Sequence, residues 1–129
     1  MKKGDSYTCT FITNSSIYEG FKTTFGDHNP LHTDADFAVK KGFKAIVMHG
    51  NILGGYLSYF IGEELPDKNV IILSQEIKYL LPVYLDDELT LHATVDHVSE
   101  AVKVIEFIFN FKNQHLQKIA KGKITIGLI

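Results

Sequence analysis

The stretch Gly26-Asp27-His28-Asn29-Pro30-Leu31-His32 decides how this chain is read. It sets a carboxylate and an imidazole five positions apart, with a proline between them. Neighbours on one helix face stand about three or four positions apart, so Asp27 and His32 do not share such a face. Pro30 lacks a backbone donor and pushes Asn29 out of the helical region. The spacing predicts an irregular, rigid loop that presents an acid and a base, the requirement of proton-transfer chemistry.

Upstream of this loop, Tyr7-Thr8-Cys9-Thr10-Phe11 alternates as a half-buried strand does. Asn14-Ser15-Ser16 offers helix caps, and Ser16 with Glu19 fits a capping box. Ile17, Tyr18, Phe21 and Phe25 then make an apolar stripe on a short helix. Downstream, residues 34–40 suit a further helical turn or two, with acids first and lysines last to match the helix dipole. Residues 51–64 are apolar nearly all round, the mark of a helix buried in a core. Gly54 and Gly55 cost such a helix up to about 1 kcal/mol each relative to alanine. Tight helix–sheet packing or close approach of a ligand each accounts for keeping them.

The rest of the chain reads as strands: 70–79, ending before Pro82, then 89–96, 102–111 and 119–128. Leu89, Leu91, Ala93 and Val95 alternate with Thr90, His92, Thr94 and Asp96. One long buried helix beside a mostly antiparallel sheet is an α+β architecture.

Size and composition narrow the class further. A chain of 129 residues with a 45% apolar share suits one core. A net charge of -2 gives no electrostatic footprint for nucleic acid. No apolar run approaches a membrane span. Met1-Lys2-Lys3 is followed by Gly4-Asp5-Ser6 and not by an apolar stretch, so no signal peptide is expected. Cys9 is the single cysteine, which fits a reducing cytoplasm, and its place in a strand pattern predicts a small buried thiol.

Three ordered blocks carry a family resemblance. They are Phe25-Gly26-Asp27-His28-Asn29-Pro30-Leu31-His32-Thr33-Asp34-Ala35-Asp36-Phe37-Ala38, then Ile46-Val47-Met48-His49-Gly50, then Ile61-Gly62-Glu63-Glu64-Leu65-Pro66. Together they resemble the signature of the MaoC-like family, which includes the R-specific enoyl-CoA hydratases. The resemblance is dense over residues 21–66. It implies a hotdog fold, a curved antiparallel sheet wrapped around one long buried helix, with residues 1–129 as a single domain. It also implies a homodimer or higher homo-oligomer joined edge to edge, no cofactor, and an acyl-CoA or acyl-carrier-protein thioester as substrate.

On this resemblance Asp27 and His32 are the catalytic pair, gripping one water, with the division into acid and base left open. Gly50 opens the buried helix, where its N–H can face a thioester oxygen. Asn29, His49, Asn51 and Ser58 are the candidate substrate-binding or bracing residues. The chain departs from the family at three places. Phe25 stands where a serine usually precedes Gly-Asp, Asn51 replaces an apolar residue, and Ala45-Ile46 replace Arg-Pro. The implied activity is hydration of an enoyl thioester, or dehydration of a 3-hydroxyacyl thioester. A hotdog thioesterase and a non-catalytic acyl- or partner-binding protein are the alternatives. No metal is expected, because Pro30 interrupts the His28/His32 spacing. Lys40, Lys41 and Lys44 suit either CoA phosphates, an acidic carrier surface or plain solvent. Glu63-Glu64 and Asp86-Asp87-Glu88 read as solvated ends.

Overall fold

The computed structural model of the protein describes residues 1–129. Five strands, β1 (Ser6–Ile12), β2 (Val70–Tyr79), β3 (Glu88–Ser99), β4 (Val104–Lys112) and β5 (Lys118–Leu128), form one sheet in the order β1-β3-β4-β5-β2. Every neighbouring pair is antiparallel. The alternation expected of β3 is observed, and β4 alternates in the same way. Leu89, Leu91, Ala93 and Val95 are buried, as are Ile105, Phe107, Phe109 and Phe111. They pack in one core with Ile52, Leu53 and Leu57 of the helix Ile52–Tyr59. A sheet wrapped around a buried helix is the expected hotdog fold.

That helix is the fourth in chain order. Before it come α1 (Ser15–Phe25), α2 (Pro30–Thr33) and α3 (Ala35–Lys40). The buried helix, α4, continues as a π-helical turn over Phe60–Glu64, so the expected 51–64 segment is helical throughout but not uniformly α. It stops at Leu65, whose extended backbone (φ -72°, ψ 146°) follows from the proline after it.

Several local expectations need correction. The cap of α1 is Asn14, whose side chain accepts the Ile17 N–H at 3.0 Å. Ser16 therefore lies inside the first turn, and Glu19 pairs instead with Lys22 at 3.1 Å. The segment after Asp27 is not wholly irregular. Pro30 starts α2, where a missing N–H costs nothing, and Asn29 in extended backbone caps it. His32 thus sits on a helical turn. Asp87 is buried rather than solvated, accepting from the Tyr84 N–H and the Gln114 side chain, each at 2.9 Å. Cys9 is buried as expected, and that burial, with Glu64 nearby, pushes its thiol pKa up.

The first turn of the motif explains its glycine. Gly26 ends α1 at φ 69°, and its N–H donates to the Lys22 carbonyl at 2.9 Å. Only glycine takes that backbone without strain, so it lets the chain reverse and deliver Asp27. No helix is long and apolar enough to cross a membrane.

Tyr56 ties α4 to the N-terminal strand. Its ring stacks on Phe11 with centroids 4.2 Å apart, and its hydroxyl bonds Thr13 Oγ1 at 2.7 Å. Both residues are buried. Tyr56→Phe leaves the Thr13 hydroxyl unpaired and is expected to cost about 1–3 kcal/mol in urea denaturation. An unchanged midpoint would show that the hydroxyl pair is not shielded from water.

Candidate active site

Three elements bring the site together: the Asp27–Asn29 turn, helix α2 and the entry to α4. In the turn, Asp27 Oδ1 accepts the Asn29 N–H at 3.1 Å, and Asn29 Oδ1 accepts the Leu31 N–H at 3.0 Å. Thr33 Oγ1 donates to the His28 and Asn29 carbonyls, closing the same turn. These local bonds hold Asp27 with its second oxygen, Oδ2, directed at His32.

His32 is held on its other side. Its Nδ1 lies 2.7 Å from the Val47 carbonyl, and Tyr18 donates to the His32 carbonyl at 2.6 Å. A carbonyl only accepts, so Nδ1 carries the proton. Neutral His32 then presents a bare Nε2 lone pair. That nitrogen stands 4.0 Å from Asp27 Oδ2. The separation is too long for a direct hydrogen bond and suits one small molecule held by both.

Behind the pair lies His49, almost fully buried. Its ring stacks on His32 with centroids 4.1 Å apart, and its Nε2 donates to the Asp27 carbonyl at 2.9 Å. Its Nδ1 has no partner. The structure therefore places His49 as a brace for the loop, not as a wall of either groove described below. Asp27, His32 and His49 bring donor atoms within 4.8 Å of one another. One nitrogen of each ring is committed to a carbonyl, and the other nitrogen of each makes no hydrogen bond within the protein.

Gly50 and Asn51 form the turn into α4. Neither N–H donates to a group of the protein. The space beside Gly50 belongs to Tyr79: a Cβ there would stand 3.0 Å from the ring edge. Glycine lets the Tyr79 ring lie close against this turn, a contact the local sequence does not reveal. Tyr79 donates to Asn51 Oδ1 at 3.4 Å, and burial pushes its phenol pKa up, so it remains a donor across the neutral range.

Two grooves flank the pair. The larger, about 750 Å³, is lined by Phe21, Phe25, Asp27, Asn51, Gly55 and Tyr56 among others. The smaller, about 330 Å³, is lined by His32, Gly50, Leu53, Tyr79 and Leu81 among others. Both fall near or within the range of about 300–1,000 Å³ usual for ligand sites. Gly55 faces the larger groove with nothing within 4 Å of a Cβ, whereas Gly54 packs near Gln75. Neither glycine is forced by close packing, since both positions have room for a Cβ. Phe25 is 70% exposed at the end of α1, where it forms groove wall. Ser58 is exposed, on the α4 face shared with Asn51 and Gly55 but beyond the groove. Lys41 lies over the Phe37 ring and Lys44 over Tyr84, so neither is free of the fold.

Fold and site together define a hotdog protein with a carboxylate and an imidazole side by side at the entry to its central helix. The chain belongs to the MaoC-like family: the model of the MaoC like domain matches residues 6–113. An (R)-specific enoyl-CoA hydratase of Rhodospirillum rubrum is 32% identical over 108 residues, 83% of this chain and 74% of that protein. An (R)-specific enoyl-CoA hydratase of Aeromonas caviae is 38% identical over 74 residues, 57% of this chain and 55% of that protein. By sequence the chain thus spans little more than half of the Aeromonas relative. A solved structure of an (R)-hydratase from A. caviae involved in PHA biosynthesis matches with a TM-score of 0.91 at 26% identity, over 100% of this chain and 98% of that one.

Proposed function

We propose that the protein is a hydro-lyase that adds water across the α,β double bond of an enoyl thioester, or removes it from a 3-hydroxyacyl thioester. The observation that carries this reading is the unbonded approach of His32 Nε2 to Asp27 Oδ2 at 4.0 Å beside two grooves. A water held between them loses one proton as its oxygen attacks the β-carbon. The α-carbon gains a proton in exchange, so no net proton is consumed. The bare Nε2 lone pair suits His32 to take the first proton in the hydration direction. The Gly50 and Asn51 N–H groups are free to receive the charge that grows on the thioester oxygen. The same groups serve the reverse reaction, and reactant concentrations set its direction.

The substrate is carried as a CoA or carrier-protein thioester, and residues 1–129 act as one catalytic domain. The unit is a homodimer. Strand β2 supports this, since only β5 pairs with it and it leaves Ile71 and Leu73 about half exposed. An apolar free edge of that kind pairs readily with a second copy.

Purified protein given crotonyl-CoA is expected to bleach the enoyl absorbance. A saturated acyl-CoA is expected to yield no free thiol. Thiol release without hydration would replace this reading with a thioesterase.

A further inference from the structure

Asparagine is among the best helix caps, because its side chain bonds the free N–H groups of the first turn. Asn51 stands at that place on α4 and makes no such bond. Its side-chain oxygen is engaged by the Tyr79 hydroxyl instead. The amide is therefore oriented from outside its own helix, by a residue at the end of a strand 28 positions away in sequence. The Tyr79 ring lies close against Gly50, which presents no side chain to it. With Oδ1 engaged, the remaining side-chain donor is the Nδ2 amide, which has no acceptor in the protein. Asn51 lines the larger groove together with Asp27, and Tyr79 lines the smaller one together with His32. The pair bridges the two grooves at the turn where the thioester oxygen is to be stabilised.

We propose that the Asn51 amide is a further catalytic donor to the thioester oxygen, and that Tyr79 is the positioning residue that aims it. This inference rests on the hydro-lyase reading and adds to it a side-chain contribution to the oxyanion site. A carboxamide placed where charge develops lowers the barrier and leaves ground-state binding largely unchanged.

The test is a double-mutant cycle with crotonyl-CoA, reading kcat and KM separately. Asn51→Leu is expected to lower kcat by about 10- to 100-fold with KM within about twofold. Tyr79→Phe keeps the ring on Gly50 and removes the hydroxyl. It is expected to lower kcat by about three- to tenfold when Asn51 is present, and to have no effect in the Asn51→Leu background. Asn51→Asp, which keeps the shape and loses the amide donor, guards against misfolding of the leucine variant and is expected to lose at least as much kcat. Equal Tyr79→Phe losses in both backgrounds would overturn the positioning role. Unchanged kcat in Asn51→Asp would overturn the catalytic one. If wild type hydrates crotonyl-CoA and Asp27→Asn does not, those failures leave the hydro-lyase reading standing. An inactive wild type rejects that reading and this inference with it.

Discussion

Replacing His32 by alanine, or Asp27 by asparagine, is expected to lower kcat for crotonyl-CoA hydration by about 10²- to 10⁴-fold, the contribution of a positioned proton-transfer group. Folding should survive both changes. The Asp27 side chain is 47% exposed. Asparagine retains an oxygen for the Asn29 N–H, the bond that shapes the turn. His32→Ala loses one bond to the Val47 carbonyl and the stack on His49, a cost of about 1–3 kcal/mol. The two effects separate cleanly in a measurement of kcat beside a thermal melt. A variant with full turnover and a wild-type melt would remove the residue from the chemistry. A variant whose activity falls only in proportion to its unfolded fraction would give it a structural part alone.

The largest loss of stability is expected at Gly122. Strands β2 and β5 pair Ile77 with Gly122, and there β2 lies directly against the space a side chain would occupy. A Cβ would collide with the Glu76 carbonyl oxygen and come within 2.9 Å of the Phe109 ring. Backbone on one side and a buried aromatic on the other leave nothing flexible to yield. Gly122→Ala therefore forces β2 off β5, and the cost is expected to exceed about 3 kcal/mol. Urea denaturation measures it. A shift below about 1 kcal/mol would show that β2 can slide without penalty. Because β2 ends at Tyr79, the same variant should also disturb the wall against Gly50.

Much of this molecule is legible from short-range pattern. The strand at 89–96 follows from period-two alternation, and the candidate at 70–79, closed off before Pro82, is set by the structure at Val70–Tyr79. The strand predicted at 102–111 starts two residues late, at Val104, because Lys103 turns at φ 54°. The motif marks Asp27 and His32, and the fold brings them to 4.0 Å. What the motif does not convey is which way each is held. The partner of His32 Nδ1 is the Val47 carbonyl, a backbone atom that no residue type advertises. The burial of His49 depends on α1 crossing it with Phe21 and Tyr18. Asp87 looks solvated within an acidic run, yet Gln114, 27 residues on, covers it. Tyr79 carries no motif at all. Its proximity to Gly50 depends on where β2 ends relative to α4, a fact set by sheet register.

Local chemistry was enough to specify an α+β chain with one buried helix, an acid and a base on a rigid turn, and a glycine at the helix entry. Alternation, capping and proline geometry act over a few residues, so they can be read in order along the chain. The free Nε2 of His32, the Asn51–Tyr79 bridge and the two grooves needed the folded protein. Each is made by groups that meet only when the sheet closes around α4, and register and packing, which decide such meetings, are properties of the whole core.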